Sequence, residues 1–468
     1  MTDATSIPSS TTVLIVGAGP SGLAAALSLL HRGFKDFVIV DAVEQGENTS
    51  RALVIHAATL ETLDTIDCAE EIVANGTKSR SMQIGNRSSK LVSTDLSSLD
   101  KHTRHPYALV IPQNITEYIL HEKLKGYGAK VHRPCKVASL KRNENDVNLT
   151  DVTLEDGKTI TAKYVIGADG ARSVVRRMAG ISFTDPKTGE EGDRVNNLTQ
   201  MILADIVYEG GDISGLGFSG TMSPASFFLS MPMPKSFNEL LAKDGHEVEG
   251  QIYRIGAGVP LADGEIPHSP SKEYLQNLVD RFGPIVLSSD ASVNPNSTSI
   301  RIKEVIWSTR FRTHSAIADK VFTRLGGDEL QEAAENSTTK HGGVILLVGD
   351  AAHIHAPAGG QGMNLGIRDG VFLGDALIKH INATASQPPS ADAEYILREF
   401  AEERHQRALE VIAFTKNLLS LMGTKDEKIS WLFPVSATTV RDWVLWLGGK
   451  LGFVQARMAW SISGLGRR

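Results

Sequence analysis

The chain has 468 residues, of which 41% are hydrophobic and 22% charged, and its formal net charge is −6. This length suits two or three domains with a large buried core, and the acidic balance argues against nucleic acid as a partner. The two cysteines, Cys68 and Cys135, are too few for a disulfide framework or a four-thiolate metal site. We therefore expect reduced thiols and a cytoplasmic location, and the polar N-terminus predicts no signal peptide.

The first predicted unit is a strand, a glycine turn and a helix. An apolar run from Val13 is followed by three glycines and an Ala/Leu-rich helix, and a second apolar run ends at Asp41. In this context Gly17 permits a tight turn, Gly19 lets the backbone approach a pyrophosphate, and Gly22 allows close helix–strand packing. Asp41 is then predicted to accept hydrogen bonds from the ribose of a bound dinucleotide.

Two apolar stretches have to be weighed as membrane segments. The 18 residues from Val13 to Leu30 carry no charge, but their glycine spacing favours a buried strand, a turn and a buried helix. The stretch 431–454 is interrupted by Pro434, Arg441 and Lys450, which favours a packed helical region over a membrane anchor. We therefore expect no membrane span.

Two later segments repeat the strand–turn–helix pattern. One strand ends near Asp169, and the other ends at Asp350, at the strand edge where open α/β sheets bind ligands. The glycines after Asp350 predict backbone N–H groups held against a ligand, and Pro357 stiffens that approach. A metal bound by His353 and His355 is the alternative, but no nearby carboxylate or cysteine set completes such a site, so no metal is predicted.

These segments together resemble the single-component FAD-dependent aromatic hydroxylases, the group A flavoprotein monooxygenases of the para-hydroxybenzoate hydroxylase and phenol hydroxylase type. The resemblance covers about residues 10–180 and 340–400 and is weak across 185–340. It implies non-covalent FAD, with NADPH or NADH as a transient reductant that has no Rossmann domain of its own. The motifs that carry it are GAGPSG, RALVIHAATLETLD, VIPQNITEYIL, GADGARSVVR and GDAAHIHAPAGGQGMNLGIRDG.

The resemblance also implies roles for individual residues. Asp350 contacts the ribityl and pyrophosphate region of FAD, and Pro357 belongs to the loop at the reactive face of the flavin. His56 and Tyr107 are candidates for the base that deprotonates a phenol, with packing and a hydrogen bond as the alternative role of each. Besides the first turn, Asp41 and Asp350, the predicted cofactor-binding residues are Arg51, Gln113, Asp169, Gly359, Gly360, Gly362, Met363 and Asn364.

The predicted fold is α/β, with a Rossmann-like FAD-binding domain interleaved with a β-rich substrate domain and followed by a C-terminal helical region. The FAD-binding domain is expected to be discontinuous, because the segment rich in Gly, Pro, Ser and Met separates its first two motifs from the third. The predicted boundaries are 10–80, 107–182 and 303–400 for the FAD-binding domain, 81–106 and 183–302 for the substrate domain, and 401–468 for the helical region.

The function implied by the resemblance is FAD- and NAD(P)H-dependent hydroxylation of a phenolic or other electron-rich aromatic substrate through a flavin C4a-hydroperoxide. Two alternatives stay open. One is epoxidation or Baeyer–Villiger-like oxidation of a polyketide or isoprenoid, and the other is a non-catalytic carrier with the FAD fold. The expected partners are a small aromatic or polyketide substrate and O₂. The oligomeric state is open, with a homodimer as one candidate.

Overall fold

The computed structural model describes residues 7–44, 52–190, 200–213, 215–312, 314–326, 342–385, 393–428 and 435–467. Arg51 lies outside these residues, so its contact with FAD stays a prediction. Within the described ranges, no helix is long and apolar enough to cross a membrane. The uncharged stretch from Val13 to Leu30 is divided between a strand and a helix, as its glycines predict.

The strands are numbered along the chain. They are β1 (Ser10–Val16), β2 (Phe37–Val40), β3 (Val54–Ile55), β4 (Thr77–Ser79), β5 (Ser81–Asn86), β6 (Lys90–Asp95), β7 (Ala108–Val110), β8 (Val131–His132), β9 (Val137–Arg142), β10 (Thr150–Leu154), β11 (Thr159–Gly167), β12 (Phe183–Thr184), β13 (Gln200–Glu209), β14 (Ser219–Ser223), β15 (Ser226–Pro232), β16 (Ile252–Gly258), β17 (Arg301–Arg312), β18 (Ala316–Ala318), β19 (Phe322–Arg324), β20 (Val344–Leu347) and β21 (His353–Ile354).

The α-helices of the described residues are numbered in the same way. They are α1 (Pro20–His31), α2 (Ala57–Asp64), α3 (Ala69–Asn75), α4 (Gln113–Gly126), α5 (Val174–Met178), α6 (Lys235–Lys243), α7 (Lys272–Phe282), α8 (Gly362–Ala385), α9 (Ala393–Met422), α10 (Ala437–Gly448) and α11 (Gly452–Ser463).

The largest sheet has eight strands in the order β19-β20-β11-β1-β2-β8, with β10 and β9 attached beside β11. Strand β1 is parallel to both β2 and β11, and β11 is parallel to β20. The last four residues of β1 and all of β20 are buried, which explains why both read as unbroken apolar runs. Because parallel strands end at the same edge, Gly17, Ala168 and Val348 come together there and continue the backbone hydrogen bonding of the sheet.

A second sheet has seven strands in the order β17-β13-β16-β15-β14-β5-β6. It joins β5 and β6, from residues 81–95, to strands that lie more than one hundred residues later. Segments of this sheet therefore alternate along the chain with segments of the first sheet, as the predicted interleaved domains require. The predicted boundary at residue 303 falls inside β17, which pairs with β13 from Arg301 to Arg312. This sheet therefore continues past the predicted boundary, and the division into domains stays a prediction.

The C-terminal helices are less completely packed than the sequence indicates. Among the side chains of α10, Arg441 is the buried one, whereas Trp443, Val444, Trp446 and Leu447 are exposed. The prediction of a packed helical region is therefore wrong for the outer face of α10. An amphipathic pattern shows that a helix has an apolar face, but it does not show whether anything covers that face.

Candidate functional site

The glycine turn between β1 and α1 brings the backbone close to the end of β11. A Cβ on Gly17, whose φ is +106°, would lie 2.2 Å from the carbonyl oxygen of Ala168, and one on Gly22 would lie 2.0 Å from that of Gly17. Gly19 is different, because a Cβ there would meet no described atom within 4 Å. The turn thus keeps open space at Gly19, where α1 begins and its free N–H groups favour an anion.

Asp41 ties the end of β2 to the glycine turn. Its carboxylate accepts hydrogen bonds from the backbone N–H of Ala18 at 2.6 Å and of Val43 at 2.9 Å. Arg133, which the sequence did not single out, lies 3.5 Å from the same carboxylate and donates to the carbonyl of Ala18. Carboxylate oxygens have capacity for more than one donor, so these bonds leave the contact with a ribose possible, and that contact stays a prediction.

A cavity of about 840 Å³ extends from this turn to the inner strands of the seven-stranded sheet. The predicted residues that line it are His56, Gly19, Gln113, Asp350, Pro357, Gly359, Gly360, Gly362 and Met363. Those that do not line it are Gly17, Gly22, Asp41, Tyr107, Asp169 and Asn364. The predicted FAD contacts of Gly17, Gly22, Asp41, Asp169 and Asn364 therefore lie outside this cavity wall and stay predictions.

The loop before α8 is held by hydrogen bonds within the protein. Gly359 and Gly360 have φ values of +79° and +62°, which L-residues rarely adopt. The Asn364 amide donates to the carbonyls of Gly360 and Val54, both at 2.7 Å, and its oxygen accepts from the backbone N–H of His56 at 2.8 Å. Asn364 therefore fastens the loop to β3 and α2, a positioning role that no local sequence pattern indicates.

His56 is buried against the same loop. Its Nε2 lies 2.8 Å from the carbonyl oxygen of Gly359, which can only accept, so Nε2 carries the proton of the neutral ring. Burial lowers the pKa of His56 to about 4 even though the bond to Gly359 acts in the opposite direction. The ring is neutral at pH 7 and too weakly basic to take a proton from a phenol efficiently.

Tyr107 faces a different part of the molecule. Its hydroxyl lies 2.9 Å from Nδ1 of His105, whose Nε2 lies 2.7 Å from a carboxylate oxygen of Asp64. Burial raises the pKa of Tyr107. Since Tyr107 does not line the cavity either, its placement gives no support to the predicted role as a base.

The two histidines after Asp350 have separate surroundings. His353 donates from Nε2 to Asp369 at 2.6 Å, and Arg404 donates to the other oxygen of the same carboxylate at 2.8 Å. His355 instead donates from Nδ1 to the carbonyl of Ala356 at 2.8 Å, and it lines the cavity. Across the described ranges, no group of three or more His, Cys, Asp or Glu side chains could hold a metal ion.

His355 leaves one polar atom unsatisfied. Its Nε2 is buried without a hydrogen-bond partner, and burial lowers the pKa of His355 to about 4. With the proton on Nδ1, Nε2 is an acceptor close to the start of α8, about 3.9 Å from where a Cβ on Gly362 would lie. A buried acceptor without a partner in the wall of a cavity is suited to a donor group of a bound ligand.

Replacing His355 with Phe tests this assignment. We expect the stability of the FAD-free protein to change by less than about 1 kcal/mol, since an unsatisfied acceptor is removed along with one modest hydrogen bond. Affinity for FAD should fall about three- to tenfold, which corresponds to the net contribution of one hydrogen bond. Thermal melting and flavin titration measure the two effects, and His121→Phe on α4 is the control. A variant with unchanged FAD affinity would remove His355 from the cofactor site.

Asp169 and Asp350 occupy equivalent strand ends in different ways. The Asp169 carboxylate accepts from the backbone N–H of Val174 at 2.6 Å and of Val175 at 3.2 Å, so it caps the short helix α5. Its other oxygen is buried without a partner. Asp350 sits in the 3₁₀ turn Gly349–Ala351 at the cavity wall and is exposed to it. Asp350 is thus the one of the two placed to meet a ligand directly.

The far part of the cavity is apolar and rich in methionine. Seven of the chain's ten methionines line the cavity, together with several Phe and Leu side chains, and they are Met82, Met201, Met222, Met231, Met363, Met422 and Met458. Methionine is flexible and polarisable, so such a wall adapts to the shape of an apolar ligand. It also excludes water from whatever reaction takes place there.

Arg254 brings a charge to this apolar wall. It stands opposite Asp205 in the β13–β16 pairing and donates from Nε and Nη2 to the two carboxylate oxygens at 2.7 and 2.6 Å. Both side chains are 2% exposed. The sequence analysis missed this pair, although an arginine inside the apolar run IYRIGAG was the available signal.

These features fit FAD. The open space at Gly19 and the start of α1 suit a pyrophosphate. The positive-φ loop at Gly359 and Gly360 brings bare backbone to the cavity wall, as contact with a flat ring requires, and His355 supplies an unsatisfied acceptor beside it. The chain can therefore hold the cofactor with its phosphates at one end of the cavity and its ring beside the methionine-lined chamber.

Comparisons with known proteins agree with this reading. The family model described as FAD binding domain matches residues 10–213 and 285–415, more than half of the chain. A rifampicin monooxygenase of Streptomyces venezuelae is 30% identical over 414 residues, which cover 88% of this chain and 72% of that protein. Among eight curated relatives, the share of the relative's length that this chain spans runs from 57% to 74%.

Solved structures show the same fold. The p-nitrophenol 4-monooxygenase of Pseudomonas putida DLL-E4 superposes with a TM-score of 0.71 over 98% of this chain and 99% of that chain, at 20% identity. The OxyS anhydrotetracycline hydroxylase of Streptomyces rimosus does so with a TM-score of 0.67 over 97% and 76%, at 25% identity. With the family model and these relatives together, the chain belongs to the family defined by the FAD binding domain and is an FAD-dependent flavoprotein monooxygenase.

Proposed function

We propose that this monooxygenase hydroxylates a phenolic or other electron-rich aromatic substrate, using FAD, NAD(P)H and O₂. The observation that carries the proposal is the continuity of one cavity, which begins at Gly19 and ends in the methionine-lined chamber. The loop from Pro357 to Gly362 lies in the wall of the same cavity, where Gly359 is beside Phe414 and Leu418. A substrate in the chamber would therefore be next to the part of the wall assigned to the flavin ring.

The chain's own contribution is binding, orientation and exclusion of water. The turn at Gly19 holds the phosphates, and Asn364 keeps the loop at Gly360 in place. His56 holds its proton at Nε2 toward Gly359, so it acts as a positioning residue. Bound FAD supplies the redox chemistry, taking electrons from NAD(P)H and activating O₂ for transfer to the substrate.

The substrate class is supported by the chamber and by the relatives. The relatives include proteins named for rifampicin and anhydrotetracycline. An adaptable apolar wall suits an aromatic or polyketide ring system. Hydroxylation is preferred to epoxidation because phenol-directed enzymes occur among the relatives, such as a pentachlorophenol 4-monooxygenase of Sphingobium chlorophenolicum.

The proposal is tested with a panel of monocyclic phenols and polycyclic aromatic polyketides. NADH and NADPH oxidation is followed for each compound, and the product mass is measured. A substrate should stimulate oxidation and gain the mass of one oxygen atom. Because hydroxylation, epoxidation and Baeyer–Villiger-like oxidation all add one oxygen atom, NMR of the product assigns the reaction. A new C–OH group indicates hydroxylation, whereas an epoxide in place of a double bond or an ester in place of a ketone indicates one of the alternatives. A protein that binds FAD but shows no NAD(P)H oxidation with any compound of the panel would be a carrier.

Replacing Pro357 with Gly should uncouple the reaction. Glycine restores backbone freedom to the loop, whereas the phosphate contacts lie at the other end of the cavity, so FAD affinity should stay within about threefold. More NAD(P)H should be consumed per product, with the missing oxygen released as hydrogen peroxide. Peroxide and product assays measure this ratio, and Pro260→Gly, away from the cavity, is the control. Coupling equal to that of the parent would show that Pro357 does not shape the reaction site.

The remaining expectations are part of the same proposal. We infer a division into the three predicted regions, with the substrate-domain sheet extended to residue 312 by β17. The cytoplasmic location is supported by Cys68 and Cys135, which form no disulfide. The homodimer stays a prediction that sedimentation velocity checks.

A further inference from the structure

A continuous apolar surface covers the outer side of the α10–α11 hairpin. We call it the hairpin patch, and it consists of Trp443, Val444, Trp446, Leu447, Leu451 and Phe453. These are six of the fourteen large apolar side chains that are exposed among the described residues, and they fall within eleven consecutive positions. Single exposed apolar residues are ordinary, but a cluster of aromatic and aliphatic side chains marks an interaction surface.

The patch arises from the folding of the hairpin. Trp443, Trp446 and Leu447 have the i, i+3, i+4 spacing that places side chains on one face of α10. A tight turn follows, in which the backbone N–H of Leu451 donates to Gly448 at 3.0 Å and returns the chain toward α11. Phe453, at the start of α11, is 74% exposed, and Trp443 is 62% exposed. Two large aromatic side chains are thus mostly exposed, which is costly in water unless something covers them.

The opposite side of the hairpin is packed on the protein. Trp460 of α11 meets the ring of His102 edge-on at 5.3 Å, and Asp442 accepts a hydrogen bond from Asn86 of β5 at 3.0 Å. Leu445 and Met458 line the cavity. The hairpin is therefore seated on the fold by its inner face, so the patch is a genuine outer face of these helices.

The charge around the patch is opposite to that of the whole chain. Within residues 435–467 the exposed charged residues are Lys450 and Arg457, because Arg441 is buried and paired with Asp442, whereas the complete chain has a net charge of −6. Lys450 lies in the hairpin turn with its ammonium group 3.5 Å from the centre of the Trp446 ring. Tryptophan beside lysine, with apolar side chains around them, is the composition that proteins place at the boundary between water and lipid.

We propose that the hairpin patch docks on the surface of a membrane that contains anionic lipids. Its aromatic and aliphatic side chains enter the boundary between headgroups and acyl chains, and Lys450 meets the negative surface. A second copy of this chain fits less well, because a two-fold interface on the patch would bury Lys450 of both copies, and the hairpin offers no exposed acidic side chain to pair with it. The docking requires no membrane-spanning helix.

Docking would have a consequence for the substrate, which rests on the proposed function. The hairpin that carries the patch on its outer face lines the cavity with Leu445, Met458 and Ile462 on its inner face. A lipophilic aromatic substrate dissolved in the bilayer would then have only the thickness of this hairpin between itself and the chamber. Membrane docking would thus favour substrates that partition into lipid.

The test is flotation of the FAD-loaded protein with vesicles, which requires no substrate and no turnover. One set of vesicles contains phosphatidylcholine alone, and the other contains phosphatidylcholine with phosphatidylserine. The double variant Trp443→Ser/Phe453→Ser removes the most exposed aromatic members of the patch. The matched control is Tyr118→Ser/Tyr395→Ser, which removes two aromatic side chains of similar exposure from α4 and α9. Flavin content and thermal melting establish that each variant is folded.

We expect the parent and the tyrosine control to float with the vesicles that contain phosphatidylserine. The Trp443→Ser/Phe453→Ser variant should partition at least about tenfold less, and Lys450→Glu should lose the preference for phosphatidylserine. A parent protein that stays unbound with both sets overturns the proposal. So does a concentration-dependent dimer that only the Trp443→Ser/Phe453→Ser variant abolishes, since the patch would then be the interface with a second copy. Neither result bears on whether the enzyme hydroxylates aromatic compounds.

Discussion

Replacing Gly19 with Val is expected to weaken FAD binding at least about 100-fold while leaving the FAD-free protein as stable as the parent. A side chain at Gly19 meets no described protein atom within 4 Å, and its backbone conformation is an ordinary extended one. The space that it fills is the space assigned to the pyrophosphate. Displacing a phosphate from two charge-assisted hydrogen bonds to backbone N–H groups costs about 3 kcal/mol, so affinity should fall at least about 100-fold.

Two controls separate this effect from general damage. Gly22→Ala should destabilise the protein itself, because its Cβ would lie 2.0 Å from the carbonyl oxygen of Gly17. Gly126→Ala on α4 should leave FAD affinity unchanged and raise stability by at most about 1 kcal/mol, since a Cβ there also meets no described atom within 4 Å. Flavin titration and thermal melting of the FAD-free proteins distinguish the three cases. A Gly19→Val variant that binds FAD as the parent does would place the pyrophosphate elsewhere.

Replacing Asp369 with Ala should destabilise the fold by about 3–5 kcal/mol, because Arg404 would remain buried without its carboxylate. Asp369 accepts from His353, Arg404 and the backbone N–H of Gly349, so it joins α8 and α9 to the strand end that carries Asp350. The control is Asp375→Ala on the same helix, whose carboxylate is 42% exposed beside Arg32 and Lys379. That change should cost no more than about 1 kcal/mol. Denaturant unfolding measures both, and equal costs would contradict the structural role of Asp369.

The same network predicts how stability depends on acid. Burial alone raises the pKa of Asp369, but the charges of His353 and Arg404 and their hydrogen bonds lower it from 3.8 to about 2. The stabilisation is therefore complete above about pH 4 and is lost as the pH falls toward 2. Unfolding measured across this window should show less pH dependence in Asp369→Asn than in the parent. An equal slope in both proteins would assign the acid sensitivity to other carboxylates.

The sequence predicted the parts of the site that depend on local spacing. The glycine turn, the strand ends at Asp169 and Asp350 and the helix after Gly362 are each determined by residues close together in the chain. The pairing of Arg254 with Asp205 and the bonds of Asn364 to Val54 join residues far apart in sequence, so spacing could not reveal them.

Two further differences have the same kind of cause. Tyr107 precedes β7, and it was predicted to lie near the flavin because it is next to a motif in the sequence. In the structure its hydroxyl contacts His105 instead. Strand β17 crosses the predicted domain boundary because its partner β13 lies about one hundred residues earlier. Both depend on tertiary pairing, which a single sequence does not display.

The measurement that tests the central claim most directly is the origin of the oxygen in the product. The purified protein is given NAD(P)H, isotopically heavy O₂ and the phenol that most stimulates NAD(P)H oxidation, and its flavin is released with acid and identified. The account predicts unmodified FAD in the supernatant and a product with one heavy oxygen atom. Oxygen derived from water, or turnover that continues after the FAD has been removed, would contradict it.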